Sequence, residues 1–412
     1  MSICLNMIVK DEAHVLPRTL PLLCRYFNFS YWVISDTGST DGTQEMIRSF
    51  FAERGISGEL IETPWKNFGH NRTVALQAAY NKTDYVLVWD ADDSIVGNFR
   101  LPEKLQGDVY EFEFGAPGEF KYSRMQLFNN RKRWKYVGVL HEHPAPEELM
   151  SGITHVTGNY YFVSGREGSR NKDPDKYKKD AAALEEGLRE EPENARYAFY
   201  CGNSYLGAHD YENALRMYKR VLTMNGWGEE KYMSCLSGFG CYEKLGRAEE
   251  GLYMLVDAGR YSPERIEAAF YLIRYYANRE QNKTAMMYYT QIQEHYEANH
   301  ASIITARYLF ANHHDYVFYL PYYMIIVALK LDNHDLALRM FDIILHHRYI
   351  LSPVFYIRCL FQNFFLIKDI PPSQARLQAI LEYRNLLPAD GFEEIQNRAI
   401  ANYTEKCQCN AS

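Results

Sequence analysis

The chain has 412 residues, 47% hydrophobic and 24% charged, which is globular in make-up and too long for one hydrophobic core, so two domains are expected. A net charge of −7 disfavours general nucleic-acid binding, which needs a basic surface, although a local basic groove stays open. The longest apolar stretch, near residues 322–331, is too short to span a bilayer, and the apolar start meets Lys10, Asp11 and Glu12 at once, so it reads as a strand and not a secretory signal; a soluble cytoplasmic protein is expected.

In chain order, residues 3–9 form a short apolar run, a buried strand. Helical spacing follows over 14–26, a second strand over 31–35, and a turn-rich cluster from Asp36 to Gly42. A helix over 43–54, a strand over 59–62, a helix over 71–80 and a strand over 85–89 complete the alternation. Strand alternating with helix predicts a mostly parallel sheet covered on both faces, with ligands bound at the carboxyl ends of the strands. Residues 110–114 and 125–128 alternate in polarity and predict added, partly antiparallel strands. The polar, glycine-containing stretch 165–175 reads as the boundary between a first domain, 1–168, and a helical second domain, 169–412.

The second domain repeats. Gly202, Tyr205, Tyr211, Ala214 and Tyr218 fall at tetratricopeptide spacing, and Tyr242, Leu255, Ala258 and Pro263 match them in a next unit. Tyr276, Ala285 and Tyr289 form a third, and Ala328, Ala337 and Phe341 a fourth after a longer spacer. The steps from Tyr205 to Tyr242 to Tyr276 are 37 and 34 residues, against a period of about 34 for this repeat. Packing between helices accounts for much of the unusual total of 34 tyrosines, in preference to a sugar-stacking platform. Six of the eight cysteines are scattered, as in a reduced protein, and Cys407 and Cys409 have no second pair with which to bind zinc.

Chemistry concentrates just past the strand ends. Asp90-Ala91-Asp92 places two carboxylates two residues apart where a strand breaks, able to converge on Mn²⁺ or Mg²⁺ with substrate phosphates completing the shell. Such a metal offsets charge developing on a diphosphate leaving group. Asp93 adds a third carboxylate; the bland alternative for all three is a solvated acidic turn. The Asp36 cluster can cap the following helix through Ser39, Thr40 or Asp41, can place Asp36 or Thr37 on a nucleotide base or ribose, or can do both. Arg72 can reach a pyrophosphate. His141 can complete the coordination begun by Asp92, and Glu142 is a candidate general base; His143 reads as a surface residue.

Taken jointly, residues 2–12 (SICLNMIVKDE), 33–43 (VISDTGSTDGT), 89–93 (WDADD) and 136–142 (YVGVLHE) resemble family 2 glycosyltransferases of the GT-A fold, a Rossmann-like α/β class. The subgroup resembled carries a C-terminal tetratricopeptide extension, with residues 68–73 (FGHNRT), 171–177 (NKDPDKY) and 194–197 (NARY) as its distinctive elements. The resemblance implies a metal-dependent glycosyltransferase of the EC 2.4 class that moves a sugar from a nucleotide donor, in this family often a UDP-sugar and usually with inversion. It implies nucleotide-sugar contacts at Ile8, Val9, Lys10, Glu12, Asp36, Thr37, Arg72, Asp90 and Ala91, and metal contacts at Asp90, Asp92 and His141. The catalytic base is expected to be Glu142 or, second, Asp93. The chain departs from the family where Asp36-Thr37 stands for two adjacent acids, and Lys10-Asp11 for a Tyr-Asn. The helical domain is expected to present a protein, peptide or glycan acceptor. Two other readings stay open: a tetratricopeptide scaffold with a degenerate front domain, and a phosphate-transfer enzyme, which the lack of a glycine-rich phosphate loop with lysine disfavours.

Overall fold

The computed structural model describes residues 1–115, 122–303, 308–350, 354–386 and 394–409. The chain divides into two compact units, Met1–Gly226 and Trp227–Ser412. The last strand ends at Val163 and helices follow from Ser169, and those up to residue 223 belong to the same compact unit as the sheet.

The first unit opens with β1 (Ile3–Val9), α1 (Leu16–Tyr26), β2 (Phe29–Asp36), α2 (Thr43–Glu53), β3 (Gly58–Glu62), α3 (Phe68–Ala79) and β4 (Tyr85–Val88). There follow β5 (Ser94–Gly97), β6 (Val109–Phe114), β7 (Tyr122–Asn129), β8 (Trp134–Val137), β9 (His143–Pro146), β10 (Ile153–His155) and β11 (Tyr160–Val163). The main sheet has the order β3-β2-β1-β4-β7-β6-β11-β5, with β10 on β6, while β8 and β9 form a separate hairpin. β3, β2, β1 and β4 run parallel, and β7 joins β4 antiparallel. The expected Rossmann-like, mostly parallel half and its antiparallel extension are both present.

β1 is apolar throughout because it is covered on both faces. Ile3, Leu5, Met7 and Val9 pack with Leu16, Leu20 and Leu23 of α1 and with Ile47 and Phe51 of α2. Cys4 packs on the other face with Leu76 and Ala79 of α3. This is the period-two division of a strand between two cores. Asn6 is the polar exception: buried, its amide donates to Val33 O at 3.2 Å and Ala75 O at 2.9 Å, pinning α3 to the sheet.

Helices then take over: a 3₁₀ turn (Ser169–Lys172), α4 (Lys176–Glu190), α5 (Ala195–Gly207) and α6 (Tyr211–Thr223). Asn194 and Asp210 cap α5 and α6 by accepting from Tyr197 N and Asn213 N. Gly202 is where these two helices approach: a Cβ there would lie 2.8 Å from the Tyr218 ring. The second unit repeats the device, Gly251 facing Tyr242 at 2.6 Å.

That unit contains α7 (Gly228–Lys244), α8 (Ala248–Ala258), α9 (Glu267–Ala277), α10 (Asn282–Ile303), a π turn (Asp315–Tyr319), α11 (Leu320–Lys330), α12 (His334–His346), α13 (Val354–Leu366), α14 (Gln374–Asn385) and α15 (Glu394–Cys409). Of the expected repeat positions, Ala285, Tyr289, Ala328, Ala337 and Phe341 are fully buried in one cluster, Tyr276 packs against it partly buried, and Pro263 is exposed. Among the described residues no disulfide joins any of the eight cysteines. No described helix is long and apolar enough to cross a membrane.

Candidate functional site

The carboxyl ends of β1 and β2 form a rigid pair of turns. Thr37 donates both its N–H (3.0 Å) and its hydroxyl (3.1 Å) to Val9 O. Asp11 N–H donates to Ser39 Oγ at 2.9 Å, Thr40 N–H to Asp11 Oδ1 at 2.8 Å, and Glu12 N–H to Thr43 Oγ1 at 2.8 Å. None of the expected caps takes the N-cap position of α2, which is Gly42 and makes no side-chain cap bond; Asp41, one residue earlier, accepts from Thr43 N at 3.1 Å. Gly42 adopts φ 89°, a left-handed turn that favours glycine.

Asp36 is buried. Its Oδ1 accepts from Gly38 N and Ser39 N, both at 2.9 Å, and from Gln44 Nε2 at 3.1 Å. Burial opposes its charge, but the bonds from Ser39, Gly38 and Gln44 outweigh that and hold its pKa below the usual carboxylate value. Its Oδ2 is buried without a partner, and Asp36, 1% exposed, does not line the pocket at these strand ends.

Past β4 the acidic turn is held by two arginines. Arg72 of α3 donates through Nη2 to Asp90 Oδ1 at 2.5 Å and through Nε to Glu142 Oε1 at 2.7 Å. Arg124 of β7 donates to Asp90 Oδ2 at 2.8 Å and to Asp93 Oδ2 at 3.1 Å. Burial works against the Asp90 charge, and the two guanidinium groups override it, so its pKa is depressed. Asp93 is only 3% exposed; burial and then the Asp90 charge raise its pKa, with Arg124 opposing.

Asp92 points elsewhere, into the segment after β11. Its Oδ2 accepts Gly168 N–H at 2.9 Å, while the next amide, Ser169 N–H, reaches Glu12 Oε1 at 3.3 Å. Glu12 and Asp92 therefore sit side by side under consecutive backbone amides. Burial, and secondarily Asp92, push the Glu12 pKa up to about 7, and Glu12 Oε2 is buried without a partner. The segment lies so close that a Cβ on Gly165 would fall 2.2 Å from Asp92 O.

Beside this pair opens a pocket of about 490 Å³, within the range of small-molecule sites. Ile8, Val9, Lys10, Glu12 and Thr37 line one side, and Trp65 to Phe68 with Val139 and Leu140 another. Ser169, Arg170 and Lys176 close it. Burial and then the Arg170 charge lower the Lys176 pKa. Lys176 Nζ donates to Asn171 Oδ1 at 2.6 Å, and Arg170 lies 4.5 Å from the Phe68 ring centroid.

Thus Ile8, Val9, Lys10, Glu12 and Thr37 line the pocket, whereas Arg72, Asp90, Asp93 and Glu142 form one ion-pair network and Ala91 is buried in the turn. His141 stacks on Tyr200, ring centroids 3.9 Å apart, with φ 53°. Desolvation of the ring, and then the charges of Arg170, Arg196 and Lys176, lower its pKa to about 4. Among the described residues no three metal-ligating side chains gather into one cluster. Arg124, Gly165, Gly168, Ser169, Arg170 and Lys176 carried no role in the sequence reading; only residues 171–177, as a distinctive motif, hinted at this wall.

A half-parallel sheet with acidic turns and a pocket at its strand ends defines an α/β domain of the ligand-binding kind. Residues 4–107 match the family model for glycosyl transferase family 2, and the chain carries a domain of that family at its N terminus. It is 33% identical over 152 residues to a TPR repeat-containing protein of Synechococcus elongatus, covering 34% of each chain. It is 23% identical over 232 residues to the SPbeta prophage-derived glycosyltransferase SunS of Bacillus subtilis, covering 54% of this chain and 53% of that one. The chain thus spans about a third and about half of these relatives' lengths. Among solved structures, S. aureus TarS 1–349 in complex with UDP aligns at 16% identity and TM-score 0.30, covering 73% of this chain and 92% of that one.

Proposed function

We propose that the protein transfers a sugar from a nucleotide-sugar donor to an acceptor hydroxyl, with inversion. The observation that carries the reading is the pocket at the ends of β1 and β2, walled by Glu12, Arg170 and Lys176, with Asp92 beside Glu12 under the next backbone amide. The base lies toward Thr37, next in the chain to the buried Asp36. The diphosphate, an anion, is attracted to Lys176, while Arg170 beside it is already ion-paired with Asp180. A UDP-sugar is the first donor to test.

A divalent cation suits Glu12 and Asp92 better than Asp90 and His141. Glu12 Oε2 is a buried acceptor in want of a partner, beside a second carboxylate, and Mg²⁺ or Mn²⁺ is commonly held by one or two carboxylates plus phosphate oxygens. Asp90 has both oxygens committed to arginines, and among the described residues His141 gathers into no cluster of three metal-ligating side chains. When bound, the ion neutralises charge on the departing diphosphate. Glu142, fixed by Arg72, takes the proton of the acceptor hydroxyl as that oxygen bonds to the sugar C1 and the C1–phosphate oxygen bond breaks. Asp93, walled in by Arg124 and Gly165, acts as a positioning residue for Arg124. The acceptor is a protein, peptide or glycan hydroxyl.

Calorimetric titration of UDP and of UDP-sugars, with and without Mn²⁺, tests the reading. Metal-enhanced binding that Asp92→Asn and Glu12→Gln each weaken at least about ten-fold, roughly 1.4 kcal/mol, is expected. Absence of binding by every donor would leave the scaffold reading in its place.

A further inference from the structure

The second unit holds a cavity of its own, about 210 Å³, between α7, α9 and residues 310–315. Its floor is ionic and buried. Arg265 donates to Glu229 Oε2 at 2.6 Å, to Leu309 O at 2.9 Å and to Glu267 Oε1 at 2.6 Å. Glu267 also takes the Tyr316 hydroxyl at 2.6 Å. At the mouth Arg274 is held by both oxygens of Glu243, at 2.9 and 2.8 Å. The charge of each guanidinium is therefore met by a carboxylate within the protein.

Asp315 differs. It is 4% exposed, begins the π turn and lines the cavity. Its partners are neutral: Asn312 Nδ2 at 3.1 Å and the Tyr271 hydroxyl. Burial, and then the nearby Glu267 charge, lift its pKa to about 7, with Arg274 opposing from its place on Glu243. A buried carboxylate in this state gains most from a cation brought in from outside. Leu236, Phe239 and Tyr271 give apolar and aromatic walls, and Gly240 keeps the space open, since a Cβ there meets nothing within 4 Å. An anion would find both arginines already satisfied.

We infer that this cavity receives one cationic side chain of a polypeptide, a lysine or an arginine. The ammonium or guanidinium lies on Asp315 and the aliphatic stem runs along Phe239 and Tyr271. The size fits one side chain rather than a larger ligand, and the inference stands whether or not the protein transfers sugar.

The full chain, labelled with ¹³C at its methionine methyls, tests this, because Met233 lines the cavity. The probes are Ac-Gly-Gly-Xaa-Gly-Gly-NH₂ peptides with lysine, arginine, norleucine or acetyl-lysine at Xaa, and spermidine. The lysine or arginine peptide should shift the Met233 signal with a Kd of about 1 mM or tighter, the neutral peptides binding at least about ten-fold more weakly. Asp315→Asn should lose the same factor. Gly240→Phe should abolish the shift, and Gly240→Ala, which leaves the space largely open, should keep it. Equal binding of norleucine, no Met233 shift with either cationic peptide, or a shift with spermidine alone would overturn the inference.

Discussion

The Arg124→Ala variant puts the ion-pair network to a quantitative test. Arg124 bonds two carboxylates, Asp90 at 2.8 Å and Asp93 at 3.1 Å, and Asp93 is 3% exposed. At an effective dielectric of about 20 each contact is worth roughly 5–6 kcal/mol before desolvation is subtracted. Removing the arginine leaves Asp93 buried with the Gly165 N–H at 3.0 Å and strands half of Asp90, so the net loss should be about 3–5 kcal/mol. Asp93 already has a raised pKa, and a raised carboxyl contributes stability below its unfolded value that is lost as pH rises through the folded one. The loss in Arg124→Ala should therefore be larger at pH 8 than at pH 5. Adding Asp93→Asn should recover part of it, because the buried group is then neutral. Urea unfolding followed by far-ultraviolet circular dichroism at both pH values measures all of this. A loss under about 1 kcal/mol at pH 8, or no recovery in the double variant, would refute the account of the network.

Gly165→Ala drives a Cβ to 2.2 Å from Asp92 O, backbone against side chain, and should cost about 2 kcal/mol or more along with donor binding; thermal unfolding and titration with UDP check both. Gly202→Ala meets the Tyr218 ring at 2.8 Å and should lower stability by about 1–3 kcal/mol while leaving donor affinity unchanged, read by urea unfolding beside the same titration. Asp36, with its pKa held down, contributes stability that is present above the unfolded value near 3.8 and lost as pH falls through the folded one. Acid titration of Asp36→Asn should therefore show a shallower loss below pH 5 than the unsubstituted chain, and an equal slope would contradict the hydrogen bonds assigned to it.

Strand and helix were readable where local pattern decides them. Residues 3–9 are an unbroken apolar run because both faces of β1 are covered, and the tyrosines of the repeats fall at helical period because they fill the space between helices. Arg124 was not readable. It is one arginine in an alternating strand, and its meaning depends on β7 pairing with β4, Leu87 opposite Leu127. Continuing that register carries Arg124 to the level of Asp90. Residues 165–175 were read as a boundary because glycine, serine and lysine look like a linker. Their work at the site is done largely by backbone N–H groups, which every non-proline residue possesses and which leave no compositional mark. The pairing of Asp92 with Glu12 was hidden likewise, since the two acids are joined through that segment.

The amides of Gly165, Gly168 and Ser169 also bear on how such chains are recombined. The stretch that composition marks as the natural place to cut is part of the proposed binding site, and α4 supplies Lys176 to the pocket wall. A chimaera joined at residue 168 would exchange half of that wall along with the helices. A graft made at Gly226, where the compact unit ends, would carry the site across whole, and with it whatever donor preference the site encodes.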